Sequence, residues 1–68
     1  MIYDNVKKLC IDNNISLHAL EIRVGLSNGT INGWKRKYPS LRSLEKISKY
    51  FGVPVSTLVE EREDEEAG

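Results

Sequence analysis

The sequence predicts an all-α fold, a compact bundle of five short helices followed by a short acidic tail. Apolar residues recur at the three- and four-residue spacing of a helix face in five successive segments. Residues that start or stop helices bound each segment, and no segment alternates apolar and polar residues as a strand does. A chain of 68 residues can build one small domain. We therefore expect a folded domain over residues 1–59 and a flexible tail over residues 60–68.

The first predicted helix begins at Asp4 or Asn5, either of which can cap it, and ends at Asn13-Asn14. Its buried face carries three residues at helical spacing, which are Val6, Leu9 and Cys10. Cys10 is the single cysteine and can form no internal disulfide, so we interpret it as a small core residue. This cysteine usage is typical of a reducing, cytoplasmic setting.

The second and third predicted helices meet at a glycine turn. Ser16 is a favourable N-cap for the second helix, and Gly25, which tolerates a positive φ, ends it. Ser27 caps the third helix, in which Ile31 and Trp34 share one face and can pin it to the core. The opposite face carries Asn28, Gly29, Asn32 and Gly33. Two helices joined in this way cross steeply, so the second can project from the domain.

The fourth predicted helix is the clearest in the chain. It begins after Ser40, following Pro39, and ends at Gly52. Its apolar face carries Leu41, Leu44, Ile47, Tyr50 and Phe51. Pro54 then precedes a short fifth helix with the apolar residues Val55, Leu58 and Val59.

The net charge of zero conceals a division of charge along the chain. Residues 1–59 carry nine lysines and arginines against four aspartates and glutamates, a net charge of +5. Residues 60–68 carry six acidic residues and one arginine, a net charge of −5. A basic body favours a polyanionic partner, although ordinary solvated surface charge explains the same numbers. No apolar run is long enough to span a membrane and no signal peptide opens the chain, so we expect neither membrane insertion nor secretion.

Three stretches combine into a more specific pattern. They are Ile15-Ser16-Leu17 to Gly25-Leu26-Ser27, Thr30-Ile31-Asn32-Gly33-Trp34, and Pro39-Ser40-Leu41 to Phe51-Gly52-Val53. Together they resemble the phage repressor and Cro-like (XRE) family of helix-turn-helix domains, over residues 5–59. The resemblance implies a lambda-repressor-like domain that binds double-stranded DNA, with helix three in the major groove.

The resemblance implies that the early residues of helix three contact base edges. In this chain those residues are Asn28, Gly29, Thr30, Asn32 and Gly33. Asparagine suits the N6 and N7 atoms of adenine. Glycine inside a helix is costly, so we weigh two explanations equally: the glycines allow a close backbone approach to the bases, or they contact nothing.

Cations and serine hydroxyls near the helix starts are candidates for phosphate contacts, because positive charges and helix N-termini attract anions. The candidates are Ser16, Ser27, Lys35, Arg36, Lys37, Ser40, Arg42 and Ser43. A merely solvated surface remains the alternative for each of them.

Four positions depart from the family pattern. Leu17 stands where the family usually has a glutamine that contacts a phosphate, a contact that His18 can take over. Glu21 stands where alanine is usual, so its carboxylate must turn to solvent or meet a cation. Cys10 and Lys35 replace an arginine and glutamate pair, which frees Lys35 to face DNA or Glu21.

Two other classes of function compete with DNA binding. His18 and Cys10 lie on different predicted helices without a third group to orient them, so we expect no catalysis, no cofactor and no metal site. A helix-turn-helix domain can also be an antitoxin or anti-repressor whose main partner is another protein. The acidic residues 60–66 are the candidate contact for such a partner.

We expect a transcriptional regulator, a repressor of phage or mobile-element type, that binds a palindromic operator as a homodimer. One short helix buries too little surface for tight specific binding, so two copies are needed. The predicted dimer contact consists of Val55, Leu58 and Val59, although the same residues can close the monomer core.

Overall fold

The computed structural model describes residues 1–61, which form four α-helices and one short 3₁₀ helix and contain no β-strand. The α-helices are α1 (Ile2–Asp12), α2 (Leu17–Val24), α3 (Leu41–Phe51) and α4 (Val55–Val59). The 3₁₀ helix covers Asn32–Lys35. The all-helical expectation is confirmed. Of the five short helices expected, four are α-helices, and the third is only a 3₁₀ turn.

Helix α1 begins at residue 2, so the caps predicted at residues 4 and 5 are wrong. Met1 is the N-cap residue, and no side chain caps the helix. Asn5 instead donates from Nδ2 to the carbonyl oxygens of Leu58 at 2.7 Å and Glu60 at 2.8 Å. Carbonyls at a helix end lack partners within the helix, so those at the end of α4 attract this amide. The predicted stop is confirmed, since Asn13 is the C-cap residue and Asn14 follows it with φ +56°.

The predicted caps of α2 and α3 are confirmed. Ser16 Oγ and Ser40 Oγ each accept a hydrogen bond from the amide three residues further on, at 3.0 and 3.1 Å. Gly25 and Gly52 end these helices with φ of +79° and +72°. The hydroxyls satisfy amides that the helix itself leaves without partners, and the glycines adopt a backbone conformation that other residues avoid.

The predicted third helix is wrong as an α-helix. Residues 28–31 form turns, and Asn32–Lys35 form a single turn of 3₁₀ helix. Gly29 has φ +88°, which cannot belong to a right-handed helix. Several amides here donate to the carbonyl three residues back, as in a 3₁₀ helix. We call residues 28–35 the turn segment.

One hydrophobic core joins all of these elements. Its fully buried side chains come from the four α-helices and the turn segment, and they include Val6, Leu20, Ile31, Ile47 and Leu58. Trp34 is also buried, so the prediction that Ile31 and Trp34 pin their segment to the core is confirmed. Cys10 lies in the same core as expected, and burial raises the pKa of its thiol.

The predicted fifth helix is α4, which packs against α1 and α3. Leu58 is fully buried there, which favours the alternative that it closes the monomer core over its prediction as a dimer contact. Val55 and Val59 are half-buried. Of the predicted acidic tail, residues 62–68 lie outside the described residues. In the described part of the chain, no helix has the length and apolar character to cross a membrane.

Candidate nucleic-acid interface

The predicted base-reading residues all lie in the turn segment, and they are Asn28, Gly29, Thr30, Asn32 and Gly33. Asn28 and Asn32 are exposed, whereas Ile31 and Trp34 are buried in the core. The two asparagines therefore extend from a segment that is anchored from beneath. The arrangement predicted for a helix, with polar residues outside and apolar pins inside, occurs on a segment that is not an α-helix.

The buried Glu21 carboxylate supports this segment. Its side chain is only 4% exposed, and Oε1 accepts from the Gly29 amide at 3.1 Å while Oε2 accepts from the Ile31 amide at 2.9 Å. The exposed His18 places Nδ1 3.8 Å from Oε1, a contact that is an ion pair only when the imidazole is protonated. Of the two alternatives expected for Glu21, the turn to solvent is wrong, and the cation that its carboxylate can meet is His18 when the imidazole is protonated. Two backbone N–H groups, which the sequence did not indicate, compensate the buried carboxylate.

The left-handed backbone at Gly29 gives a third explanation for this glycine, beside the two that the sequence offered. Its φ of +88° is accessible to glycine at little cost and is strained for residues with a side chain. Gly33 has no positive φ, and a Cβ there would meet only Lys37 Cε at 3.9 Å. For Gly33, close approach to the bases and the absence of any contact both remain open.

The candidate serines are engaged in local hydrogen bonds. Ser16 and Ser40 are helix caps, and Ser40 also donates to Ser43 Oγ at 3.1 Å. Ser27 Oγ lies 2.9 Å from Thr30 Oγ1 as a hydrogen-bonded pair. A hydroxyl that accepts from an amide keeps its own proton, so Ser16 can still donate to an anion. Ser43 likewise accepts from Ser40 and keeps its proton, whereas Ser40 directs its proton to Ser43.

The candidate cations lie at the end of the turn segment and at the start of α3. Lys35 Nζ lies 4.8 Å from the ring centroid of Tyr3 in α1, a cation–π distance. The option that Lys35 pairs with Glu21 is therefore wrong. The other candidates are exposed and, within residues 1–61, form no ion pair; they are Arg36, Lys37 and Arg42.

A second cationic surface, which the sequence analysis did not single out, lies between α2 and α3. Arg23 Nη1 donates to the Tyr50 hydroxyl at 2.8 Å, and Lys46 and Lys49 join them around an open cavity of about 240 Å³. Only the packing of α2 on α3 brings these residues together, so no spacing in the sequence could reveal them. Across residues 1–61, no three histidine, cysteine, aspartate or glutamate side chains are grouped to hold a metal ion.

Comparison with known proteins places this geometry in a family. The family model of the Cro/C1-type helix-turn-helix DNA-binding domain matches residues 5–64. No curated protein sequence and no solved structure matches the chain at a significant level. The family is one of DNA-binding regulators and not typically of enzymes. Because the family model spans nearly the whole chain, the protein belongs to the Cro/C1-type helix-turn-helix DNA-binding domains.

Proposed function

We propose that this protein is a sequence-specific regulator of transcription, a repressor of phage or mobile-element type, that presents its turn segment to the major groove of DNA. One observation carries the proposal: Asn28 and Asn32 are exposed directly above the buried Ile31 and Trp34. Side chains that read bases must be free to donate and accept, yet must start from a backbone that does not move. In the turn segment both asparagines are exposed, and Ile31 and Trp34 anchor the backbone in the core.

The major groove is the proposed site for the segment. The major groove of B-DNA is about 12 Å wide and admits one helix or a comparable element. Asn32 lies at the start of the 3₁₀ turn, and Asn28 begins the turns that lead into it. A bidentate asparagine–adenine pair contributes roughly 1 to 3 kcal/mol against a wrong base.

Contacts to the phosphates would orient the segment without reading sequence. Arg36 and Lys37 follow the turn segment, and Arg42 lies in the first turn of α3, where the helix N-terminus adds to the attraction for an anion. Ser16 and Ser43 supply hydroxyl protons nearby. These contacts should weaken steeply as salt rises, because each one releases counterions.

Two copies on a palindromic operator complete the proposal. One turn segment buries too little surface for tight specific binding, so a second copy should occupy a half-site about 10 base pairs, or a multiple, away. Since Leu58 is internal, the exposed parts of Val55 and Val59 are the remaining candidates for the contact between copies.

Selection of bound sites from random duplexes tests the proposal. We expect one recovered palindrome that contains adenines, and weaker binding to it by about 1 to 3 kcal/mol for Asn28→Ala or Asn32→Ala. Asn13→Ala, at an exposed asparagine after α1, is the matched control and should bind as the wild type does. Equal losses on every DNA sequence would contradict base reading. Co-purification with another protein, without any DNA shift, would favour an antitoxin or anti-repressor.

A further inference from the structure

We infer that Glu21 is the positioning residue of the turn segment, and that its carboxylate determines how faithfully the segment reads DNA. The inference rests on the proposed function. Glu21 lies on α2 beneath the segment and is buried, so it acts through the exposed side chains of Asn28 and Asn32.

Both carboxylate oxygens of Glu21 bind the backbone of the segment. One accepts from the Gly29 amide at 3.1 Å and the other from the Ile31 amide at 2.9 Å. These amides follow Glu21 by eight and ten residues, so the bonds tie α2 to another part of the chain. Water competes little for a side chain this deeply buried. The carboxylate therefore holds two points of the segment at once.

The two held residues alternate with the residues proposed to read bases. Asn28, Thr30 and Asn32 each adjoin Gly29 or Ile31 in the chain. Hydrogen bonds that hold the backbone at positions 29 and 31 therefore fix where all three of these side chains leave the backbone. A bidentate contact with a base needs two aligned hydrogen bonds, whereas a phosphate accepts a cation from many directions. Without this support, the affinity for the selected site should fall more than the affinity for random DNA does.

A carboxylate of this length suits the role better than its closest substitutes. Glutamine has one acceptor and one donor, so its NH₂ group would face an amide N–H. Aspartate keeps both acceptors but is one methylene shorter, and cannot reach both amides from the same backbone position. Each substitute leaves at least one of these two amides without its carboxylate partner.

The test compares Glu21→Gln and Glu21→Asp with Glu45→Gln, which removes the same charge from an exposed position on α3. The first readout is amide hydrogen exchange by NMR in the absence of DNA. In Glu21→Gln we expect the Gly29 and Ile31 amides to exchange about 10- to 100-fold faster, as removal of a charge-assisted hydrogen bond implies. Buried amides of α3 should keep their rates in all variants.

The second readout is the ratio of affinities for the selected site and for random duplex at one salt concentration. Both Glu21 variants should lower this ratio about tenfold or more, with an unchanged salt slope, and Glu45→Gln should leave it unchanged. If Glu21→Gln does not fold, Glu21→Asp, which keeps the charge, supplies the same comparison.

Three outcomes count against the inference. The first is that Gly29 and Ile31 in Glu21→Gln exchange at the wild-type rate, and the second is that they exchange faster while the affinity ratio is unchanged. The third is that the affinities for the selected site and for random duplex fall together, in step with thermal stability. If the wild-type protein shows no sequence preference, the proposed function is refuted. The exchange rates at Gly29 and Ile31 would then still show whether Glu21 positions the turn segment.

Discussion

Gly29 and Gly33 stand four residues apart in the turn segment, and the backbone requires glycine at only one of them. Gly29 has φ +88°, and no heavy atom beyond the glycine and its two chain neighbours lies within 4 Å of the place where its Cβ would stand. Its conformation, and not a lack of space, excludes other residues. Gly33 lies in the 3₁₀ turn without a positive φ. The two glycines look alike in a sequence that predicts a helix through both.

The matched substitutions Gly29→Ala and Gly33→Ala should have opposite effects on the free energy of unfolding. Gly29→Ala should lower it by about 1 to 2 kcal/mol, because alanine is strained in the left-handed region. Gly33→Ala should raise it by up to about 1 kcal/mol, because alanine restricts the unfolded chain. Urea unfolding measures both. A gain for Gly29→Ala would mean that residue 29 is not left-handed.

Gly33→Ala also decides between the two explanations left open for Gly33. Weaker operator binding by a variant that folds more stably would support a close backbone approach to the bases. Unchanged binding would mean that position 33 contacts nothing.

At the level of whole helices, Asn5 ties α1 to the end of α4. Its Nδ2 donates to two carbonyl oxygens that lie more than 50 residues further along the chain. Helix α4 has five residues, far fewer than an isolated helix needs in water, so it depends on contacts such as these and on Leu58 in the core. Asn5 is therefore a tertiary clamp, although its position near the chain start suggests a helix cap.

Asn5→Ala should lower the free energy of unfolding by about 1 to 3 kcal/mol, because it removes the donor to the partly buried Leu58 carbonyl and the second hydrogen bond to the end of α4. Asn13→Ala is the matched control. The Asn13 side chain donates to the Leu9 carbonyl four residues back in an exposed hydrogen bond, and its removal should cost about 0.5 kcal/mol or less. Thermal unfolding measures both variants. Equal destabilisation would show that the clamp contributes nothing.

The molecule as a whole carries two cationic surfaces that are candidates for contact with DNA. One follows the turn segment and includes Arg36, Lys37 and Arg42. The other lies between α2 and α3 and consists of Arg23, Lys46 and Lys49. Net charge alone does not distinguish them, because both contribute to the +5 of residues 1–59. The proposed function uses the first surface.

Salt dependence of DNA binding distinguishes the two surfaces. Alanine at Arg36, Lys37 or Arg42 should reduce the slope of log affinity against log salt by about 0.9 for each phosphate that is no longer neutralised. Lys49→Ala, from the other surface, and Lys8→Ala, whose lysine pairs with Asp12 at 3.6 Å, should leave the slope unchanged. If only Lys49→Ala reduces the slope, the DNA-binding interface is the surface between α2 and α3.

The sequence by itself determined the parts of this protein that depend on neighbours a few residues apart. The caps at Ser16 and Ser40 and the stops at Gly25 and Gly52 follow from such contacts. So does the burial of Ile31 and Trp34, whose spacing matches one side of a helical turn.

Only the tertiary structure decided the conformation of the turn segment, the support from Glu21, the clamp at Asn5 and the burial of Leu58. Glu21 and Ile31 are ten residues apart, and Asn5 and Leu58 are 53 apart. The residues near a polar side chain in the sequence do not determine whether it faces solvent, caps a helix or bonds a distant backbone group. That choice depends on which unpartnered amides and carbonyls the packed helices bring within hydrogen-bonding distance.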